Sequence, residues 1–390
     1  MTELSAGAAI VAGLSAANAL PPDWEKAFAA VDRTLFVPNR VWPFDHATGT
    51  YGHAVDRTRD PKTWHAAAAG PNPLVTQWDD GAHTGDAPGT LATSSASAPA
   101  AVADLLGDLD AAPGTRVLDV GTGTGYTAAL LAAHGCTVTT IEIDPDLADR
   151  ARTNLARAGH ADHVTVITGD ATDGHPPTGP FDRVHVTAGV RRIPAAWIRQ
   201  TRPGGVIVMP WGTDYSPHDW ALRLTVTGPD HATGPFTRAL SFMKLRDQRE
   251  HTTSAFTDNS WMDHARTSTP SVDLADVTGG AYDPVEVVIG LHVPHCVPQL
   301  DGRTLWLDAP DTGAGPSIAA AWFPDTDQTP TAYQFGPRDQ WGEVEDAWHH
   351  WNKAGRPGPT EFGLTATATT HDVTQTPWHR TPDNELAIRR

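Results

Sequence analysis

The sequence predicts an α/β fold built on a parallel sheet with helices on both faces. Three observations predict it. Arg116–Val120 is a short apolar run carrying an acid, and it feeds the turn Gly121-Thr122-Gly123-Thr124-Gly125 and then an apolar-periodic segment. That is a strand, a tight turn and a helix start, where glycine lets backbone approach a ligand and the first helical N–H groups stand unpaired. From Arg116 to Pro210, apolar runs of strand length alternate with helix patterns through short links, the signature of a doubly wound sheet. Polar residues also recur at successive strand ends, Glu142 and then Gly169-Asp170, where ligands of such sheets bind.

In chain order, Ala8–Leu14 reads as a first surface helix, and Val31–Pro38 ends a helix and opens an extended arm. Pro/Gly/Asp-rich text continues as loop to Leu74–Gly81. Ala92–Ala98 is small and polar, and Pro99–Leu109 has helical spacing with Ser97 near its cap. The expected strands are Val117–Val120, Val138–Ile143, Val164–Thr168, Arg183–Thr187 and Val206–Pro210. The expected helices are Thr127–His134, Pro145–Ala158 and Pro194–Thr201. Pro145 opens the second of these and Gly159 stops it. Leu222–Thr227 and Thr237–Lys244, joined through Gly228 to Gly234, read as a closing antiparallel hairpin. Beyond Arg246 the text changes to short strands (Val285–His292, Thr304–Leu307, Ile318–Phe323, Phe362–Thr369) and one helix, Gln340–Lys353. The expected organisation is an N-terminal helical and extended arm over 1–90, the α/β core over 91–246, and an α+β domain over 247–390.

Composition narrows the function. The 390 residues exceed one hydrophobic core. The 28 basic and 46 acidic residues give a formal charge of −18, which repels phosphate backbones and disfavours nucleic-acid partners. Cys136 and Cys296 provide no disulfide framework, so a reducing cytoplasm is expected. The apolar run near the N-terminus lacks a preceding Lys or Arg and follows the acid Glu3, so it does not read as a signal peptide. No stretch has membrane-spanning length and no membrane partner is expected.

The glycine turn is not a dinucleotide fingerprint, because its third glycine comes one residue early and Tyr126 fills the slot where helix and strand pack. No Lys-Ser/Thr pair follows, which argues against a triphosphate loop. Glu142, 21 residues after Gly121, suits a ribose diol, since a carboxylate accepts two hydroxyl hydrogen bonds. A G-x-G-x-G turn after an acidic strand end is the arrangement of S-adenosylmethionine-dependent methyltransferases.

The chain resembles protein-L-isoaspartate O-methyltransferases over roughly residues 25–246. The resemblance rests on Leu35-Phe36-Val37-Pro38, Ser97-Ala98-Pro99, the glycine turn with Tyr126, and Gly169-Asp170 with Gly174. Phe181-Asp182-Arg183 and Arg202-Pro203-Gly204-Gly205 complete it. It implies a Rossmann-like class I methyltransferase sheet, S-adenosyl-L-methionine as cofactor, S-adenosyl-L-homocysteine as product, and Ser97 beside the methyl-accepting carboxylate. Gly121, Gly123 and Gly125 would pass under the methionine portion, with Asp119 orienting the turn and Tyr126 following it. Glu142 and Ile143 would meet the ribose end, and Gly169, Asp170 and Ala171 the adenine. Thr187 and Ala188 would lie where substrate backbone passes.

Two features depart from a repair enzyme confined to the catalytic core: the 144 residues from 247 to 390, and a long arm carrying Thr76-Gln77-Trp78-Asp79-Asp80-Gly81. They resemble the actinobacterial branch that modifies ribosomally made peptides such as lanthipeptides and graspetides. There an aspartate of a cyclised precursor peptide is esterified and collapses to aspartimide or isoaspartate. On that reading Trp78 walls the site, Thr76 or Gln77 bonds peptide backbone, and the C-terminal domain recruits the precursor. Repair of damaged proteins is the alternative, and a scaffolding role for the second domain is a third. A carboxylate acceptor titrates near 4 (about that value for free side chains). It therefore arrives ionised and needs alignment rather than a base, and no catalytic His or Cys is expected. Asp79-Asp80 and the cluster His292, His295, Cys296 lack further ligands in register, so no metal is expected.

Overall fold

The computed structural model describes residues 5–45, 48–249, 259–280, 282–311, 313–325, 327–370, 372–380 and 385–388; Glu3, used above against a signal peptide, lies outside them. Its centre is one ten-stranded sheet. Five strands are parallel: β1 (Arg116–Val120), β2 (Thr137–Glu142), β3 (Val164–Thr168), β4 (Phe181–Val186) and β5 (Thr201–Trp211). The hairpin β6 (Asp219–Gly228) and β7 (His231–Leu240) continues it antiparallel, and β8 (Phe362–Ala368), β9 (Val373–Arg380) and β10 (Glu385–Ala387) then extend it. The spatial order is β10-β9-β8-β7-β6-β5-β4-β1-β2-β3. β1 thus sits between β4 and β2, where the strand order reverses and a crevice opens at the carboxyl ends.

Period-two alternation assigns each side chain to a face. Along β5, Val206 and Val208 join one core while Ile207 and Met209 join the other. The first core packs α1 (Pro99–Leu109), α2 (Tyr126–Ala133) and the N-terminal helices Ala6–Ala16 and Glu25–Ala30 against the sheet. The opposite core takes Trp197 and Ile198 of the short α4 (Ala195–Arg199) together with the C-terminal helices. On the way lies α3 (Pro145–Arg157), capped by Asp144, whose carboxylate accepts from the Asp146 and Leu147 N–H groups at 3.0 and 3.2 Å.

The parallel core matches the expectation to within a few residues at each boundary. Three local differences have physical causes. Val285–His292, expected as a strand, is the helix α5, opened after Pro284 and buried along almost its whole length. A short continuous apolar run does not separate a buried helix from a strand. The second hairpin strand stops at Leu240 rather than Lys244. Residues 241–245 leave the sheet to pair with Gly189, and Lys244 forms an ion pair with the fully buried Asp219. Pro194–Thr201 shortens because Pro194 stands at the N-cap and Thr201 already begins β5.

The N-terminal region is a folded layer rather than an extended arm. Its strands Thr50–Tyr51, Arg40–Asp45, Leu74–Trp78 and Ala92–Ala96 pair in that order, with Val55–Asp56 on Arg40–Asp45. In the C-terminal region a second antiparallel sheet runs Arg266–Ser268, Thr331–Phe335, Ser317–Trp322, Thr304–Ala309, Val297–Asp301. α5 and α6 (Gln340–Lys353) pack on it, and their Val287, Ile289, Trp341 and Val344 share a core with Leu222 of β6 and Leu364 of β8. A boundary at residue 246 therefore cuts a continuous sheet and core, since β8 is hydrogen-bonded to β7.

Glu286 on α5 is packed against this junction, with the Ser216 hydroxyl donating to it at 3.3 Å. Burial pushes its pKa from 4.5 up to about 7, against the opposing Ser216 bond. The folded chain thus holds the proton more tightly than the unfolded one. Its contribution to stability is complete below pH 4.5 and declines as pH rises through about 7. Glu286→Gln should accordingly equal the parent at pH 4 and exceed it at pH 8, read as urea midpoints; a variant no more stable at pH 8 contradicts the assignment.

Candidate functional site

A cavity of about 940 Å³ opens over the carboxyl ends of β1, β2 and β4. Gly121 and Gly123 form its floor with positive φ (+87° and +53°), a region costly for side-chain-bearing residues. A Cβ on Gly121 would stand 3.1 Å from the Thr187 hydroxyl. Gly125 has a different task. It is the N-cap of α2 at φ +92°, it does not line the cavity, and a Cβ there would press on Ala151 and Leu155 of α3 at 3.4 Å.

The floor is locked from beneath. Asp119, 1% exposed, accepts from the Thr140 hydroxyl at 2.7 Å and meets His185 Nδ1 at 2.8 Å; Thr140 in turn lies 2.6 Å from the Thr122 hydroxyl. Asp119 therefore orients the turn from behind and does not reach the cavity. Asn154 Nδ2 donates to the Thr124 carbonyl at 3.0 Å. Above, Glu142 accepts the Gly123 N–H at 2.7 Å on one oxygen and the Asp144 N–H at 3.1 Å on the other. Burial raises its pKa, opposed by those two N–H donors. Each oxygen keeps a lone pair for a donor from a ligand, which suits a vicinal diol. Ile143 beside it lines the cavity and is exposed, an apolar surface for a ring. Gly169, Asp170 and Ala171 line the same end; Asp170 also accepts the Thr172 N–H at 2.8 Å, so its turn and lining roles coexist.

At the other end, Ser97 lines the cavity with Thr187 and Ala188. Ser97 does not cap α1: Ala98 is the N-cap, it makes no side-chain bond, and Pro99 follows. Thr187 donates to the Gly121 carbonyl at 2.7 Å and so fixes the β4 end against the glycine turn. Tyr126 also lines the cavity, its buried hydroxyl without a hydrogen-bond partner among the described residues and its pKa raised by burial.

Thr76, Gln77 and Trp78 stand one layer back. Thr76 donates to the Ser94 hydroxyl at 3.0 Å, and Trp78 packs edge-on against Tyr51 and Trp42. Gln77 reaches Asp144 at 3.1 Å. The wall itself is the next strand, Ala92–Ala96, which pairs with Leu74–Trp78 and lines the cavity in its place. Asp80 is ion-paired to Arg246 and Arg249 at 3.0 and 2.9 Å, and Arg246 also meets Asp144 at 3.3 Å. Asp79 accepts the Leu91 and Thr90 N–H groups. Asp80, through Arg246, and Gln77 thus link the N-terminal layer to the cap of α3, while Asp79 braces the layer itself.

Arg33 was not singled out by the sequence, although it lies inside Val31–Pro38. It is fully buried and donates to the carbonyls of Ala68, Gly70, Asn72, Ala96 and Ser97 at 2.9–3.3 Å. Burial pulls its pKa down to about 10, so it stays charged near neutrality. A charged residue inside an apolar helix-exit motif was the available signal. Arg33→Lys keeps the charge but loses the planar fork. It should lower unfolding free energy by about 2–4 kcal/mol, because several buried carbonyls lose their donor. Denaturant titration checks this, and a shift under half a kilocalorie would rule out the clamp (surface changes fall within about 0.5 kcal/mol).

Residues 65–222 match the family model described as Protein-L-isoaspartate(D-aspartate) O-methyltransferase (PCMT). The chain is 44% identical over 142 residues to a protein-L-isoaspartate O-methyltransferase of Hyperthermus butylicus, covering 34% of this chain and 59% of the relative. It is 45% identical over 132 residues to that of Pyrococcus horikoshii, covering 33% and 58%. The chain thus spans about three fifths of the length of the curated relatives it matches. Among solved structures, one described as protein-L-isoaspartate O-methyltransferase aligns over 94% of this chain and 98% of its own, with a TM-score of 0.52 and 18% identity. The class I methyltransferase fold is shared with it, across the N- and C-terminal additions as well as the core.

Proposed function

We propose that the protein is an S-adenosylmethionine-dependent carboxyl O-methyltransferase that esterifies the free carboxylate of isoaspartyl residues in peptides and proteins. One observation carries the reading: the Ser97 hydroxyl, free of any helix-capping duty, lines the same cavity as the glycine floor and the buried Glu142. The cavity fits the cofactor. Glu142 keeps lone pairs for two ribose hydroxyls, the floor at Gly121 and Gly123 has no Cβ, and Ile143 offers an apolar face. When bound, S-adenosylmethionine supplies a methyl carbon that forms a bond to the acceptor oxygen as its bond to sulfur breaks, leaving a neutral thioether.

No proton moves in that step, so the residues need only align and desolvate. Ser97 donates its hydroxyl hydrogen to one acceptor oxygen and directs a lone pair of the carboxylate toward the methyl position. Arg33 holds the Ser97 carbonyl, and hence the strand that presents the hydroxyl. Alignment of this kind is worth up to roughly 7–11 kcal/mol of barrier. The repair reading draws support from the relatives. It also draws support from the solved structure that aligns across the additions, because extra length then does not mark a specialised substrate. The second reading is esterification of an aspartate in a cyclised ribosomal peptide on the way to aspartimide. It is supported by the side chains that both additions bring to the cavity, Tyr51 and Tyr282. Mass spectrometry separates the two. Methylation of any isoaspartyl peptide favours repair; methylation followed by loss of methanol, on a cyclised precursor alone, favours tailoring.

Two variants test the site. Ser97→Ala should lower kcat about 100-fold, a loss of roughly 2.7 kcal/mol of alignment, with S-adenosylhomocysteine affinity unchanged. Turnover equal to the parent in a folded variant removes Ser97 from the chemistry. Glu142→Gln should weaken S-adenosylhomocysteine binding about tenfold or more in calorimetry, because hydrogen bonds to a charged acceptor are worth about 1.5–3 kcal/mol. Unaltered affinity would dissociate Glu142 from the nucleoside.

A further inference from the structure

Beyond residue 249, Tyr282 is the single residue that lines the cavity among the described residues. Its backbone is left-handed, with φ +64°. For a bulky residue that is a genuine outlier, and such outliers collect at ligand clamps where surrounding structure holds them. The holding structure is present. The Asp283 N–H donates to the Gly280 carbonyl at 2.9 Å, and the Asp283 carboxylate accepts the Val285 N–H at 2.9 Å, which locks the turn onto the start of α5. Despite this anchoring the Tyr282 side chain is 54% exposed.

Other rings face the same space. His218 lies beneath Tyr282 with ring centroids 5.3 Å apart, its Nδ1 buried without a partner among the described residues and its pKa lowered by burial, so the ring is neutral at pH 7. From the N-terminal layer come Tyr51 and Phe44, with centroids 5.1 Å apart; both line the cavity, and Tyr51 is braced edge-on by Trp78 at 5.4 Å. Three separate regions of the chain thus contribute rings to the lining of the cavity that holds the glycine floor, and Tyr51 and Tyr282 are close enough to interact.

We propose that Tyr51, Phe44, His218 and Tyr282 form a subsite for an aromatic side chain of the peptide next to its methylated residue, with Tyr282 as the specificity-determining residue. The proposal rests on the reading of the cavity as a peptide carboxyl methyltransferase site. A ring-lined pocket rewards burial of a planar apolar group through area and through edge-to-face contacts.

The test uses the full chain with S-adenosylhomocysteine and three fluorescein-labelled peptides. Each holds one L-isoaspartate, flanked by Ala on both sides, by Phe before, or by Phe after. Anisotropy should show one Phe peptide binding roughly three- to tenfold tighter than the Ala peptide. Tyr282→Ala and Tyr282→Gly should bind all three alike, while Tyr282→Phe retains the preference. With S-adenosylmethionine, Tyr282→Ala should lose the KM advantage of the Phe peptide over the Ala peptide, read as the ratio of the two KM values within each variant. Equal affinities in the parent, or a preference that survives Tyr282→Ala, overturns the subsite. Binding preference without methyl transfer to any peptide upholds the subsite and overturns the proposed reaction. Absence of both overturns both.

Discussion

The buried guanidinium of Arg33 is the constraint on which the acceptor end of the site depends. Among the described residues it has no acidic partner, and its charge is accommodated by backbone carbonyls from two chain segments, 68–72 and 96–97. Those segments are otherwise joined to the core by short strands and loops. One charge gathering several carbonyl dipoles fixes their spacing more firmly than apolar packing, because any opening would leave both the charge and the dipoles unsolvated. The N-terminal layer, the strand Ala92–Ala96 and Ser97 are therefore placed together. The position of a single hydroxyl follows from a residue 64 positions earlier.

The cofactor end is held by a different device. Beneath the glycine turn, His185, Asp119, Thr140 and Thr122 form a linear chain of short contacts; above it, Glu142 grips Gly123. The turn is thus clamped between two carboxylates, one structural and one open to the cavity. Such prior ordering lowers the cost of binding, since little is left to be immobilised. Between the two ends, Arg246 bridges Asp80 and Asp144 and Arg249 adds a second pair to Asp80, which links the layer carrying Tyr51 to the cap of α3. The additions on either side of the core are then parts of one cavity. β8, β9 and β10 extend the same sheet, and the apolar core crosses residue 246 without interruption.

Much of this was legible. The helix Gln340–Lys353 and the strand Val164–Thr168 fall at their expected limits, and the other parallel strands shift by a few residues. Their patterns are long or strictly alternating, and local spacing decides them. Glu142, Gly121, Gly123, Gly169, Asp170 and Ala171 meet around one cavity because consecutive strand ends in a doubly wound sheet must converge. Val285–His292 was misread because burial on all sides removes periodicity. The return of Phe362–Ala368, Val373–Arg380 and Glu385–Ala387 to the central sheet leaves no local trace, since a strand pattern reads alike whichever sheet it joins. Trp78 was read as a wall and Thr76 or Gln77 as bonding peptide backbone, yet the paired strand Ala92–Ala96 lines the cavity in their place, and strand pairing is a long-range contact.

The sequence by itself determined the parallel core, the glycine turn and the carboxylates at its strand ends, because each is a local pattern with a single stable geometry. Only the tertiary structure decided which hydroxyls and rings face the turn: Ser97 released from capping, Tyr282 held out at the mouth, and Trp78 withdrawn behind Tyr51. Those choices depend on contacts between segments far apart in the chain, through Arg33, Arg246 and the extended sheet, and long-range contacts leave no periodic mark on the residues that make them.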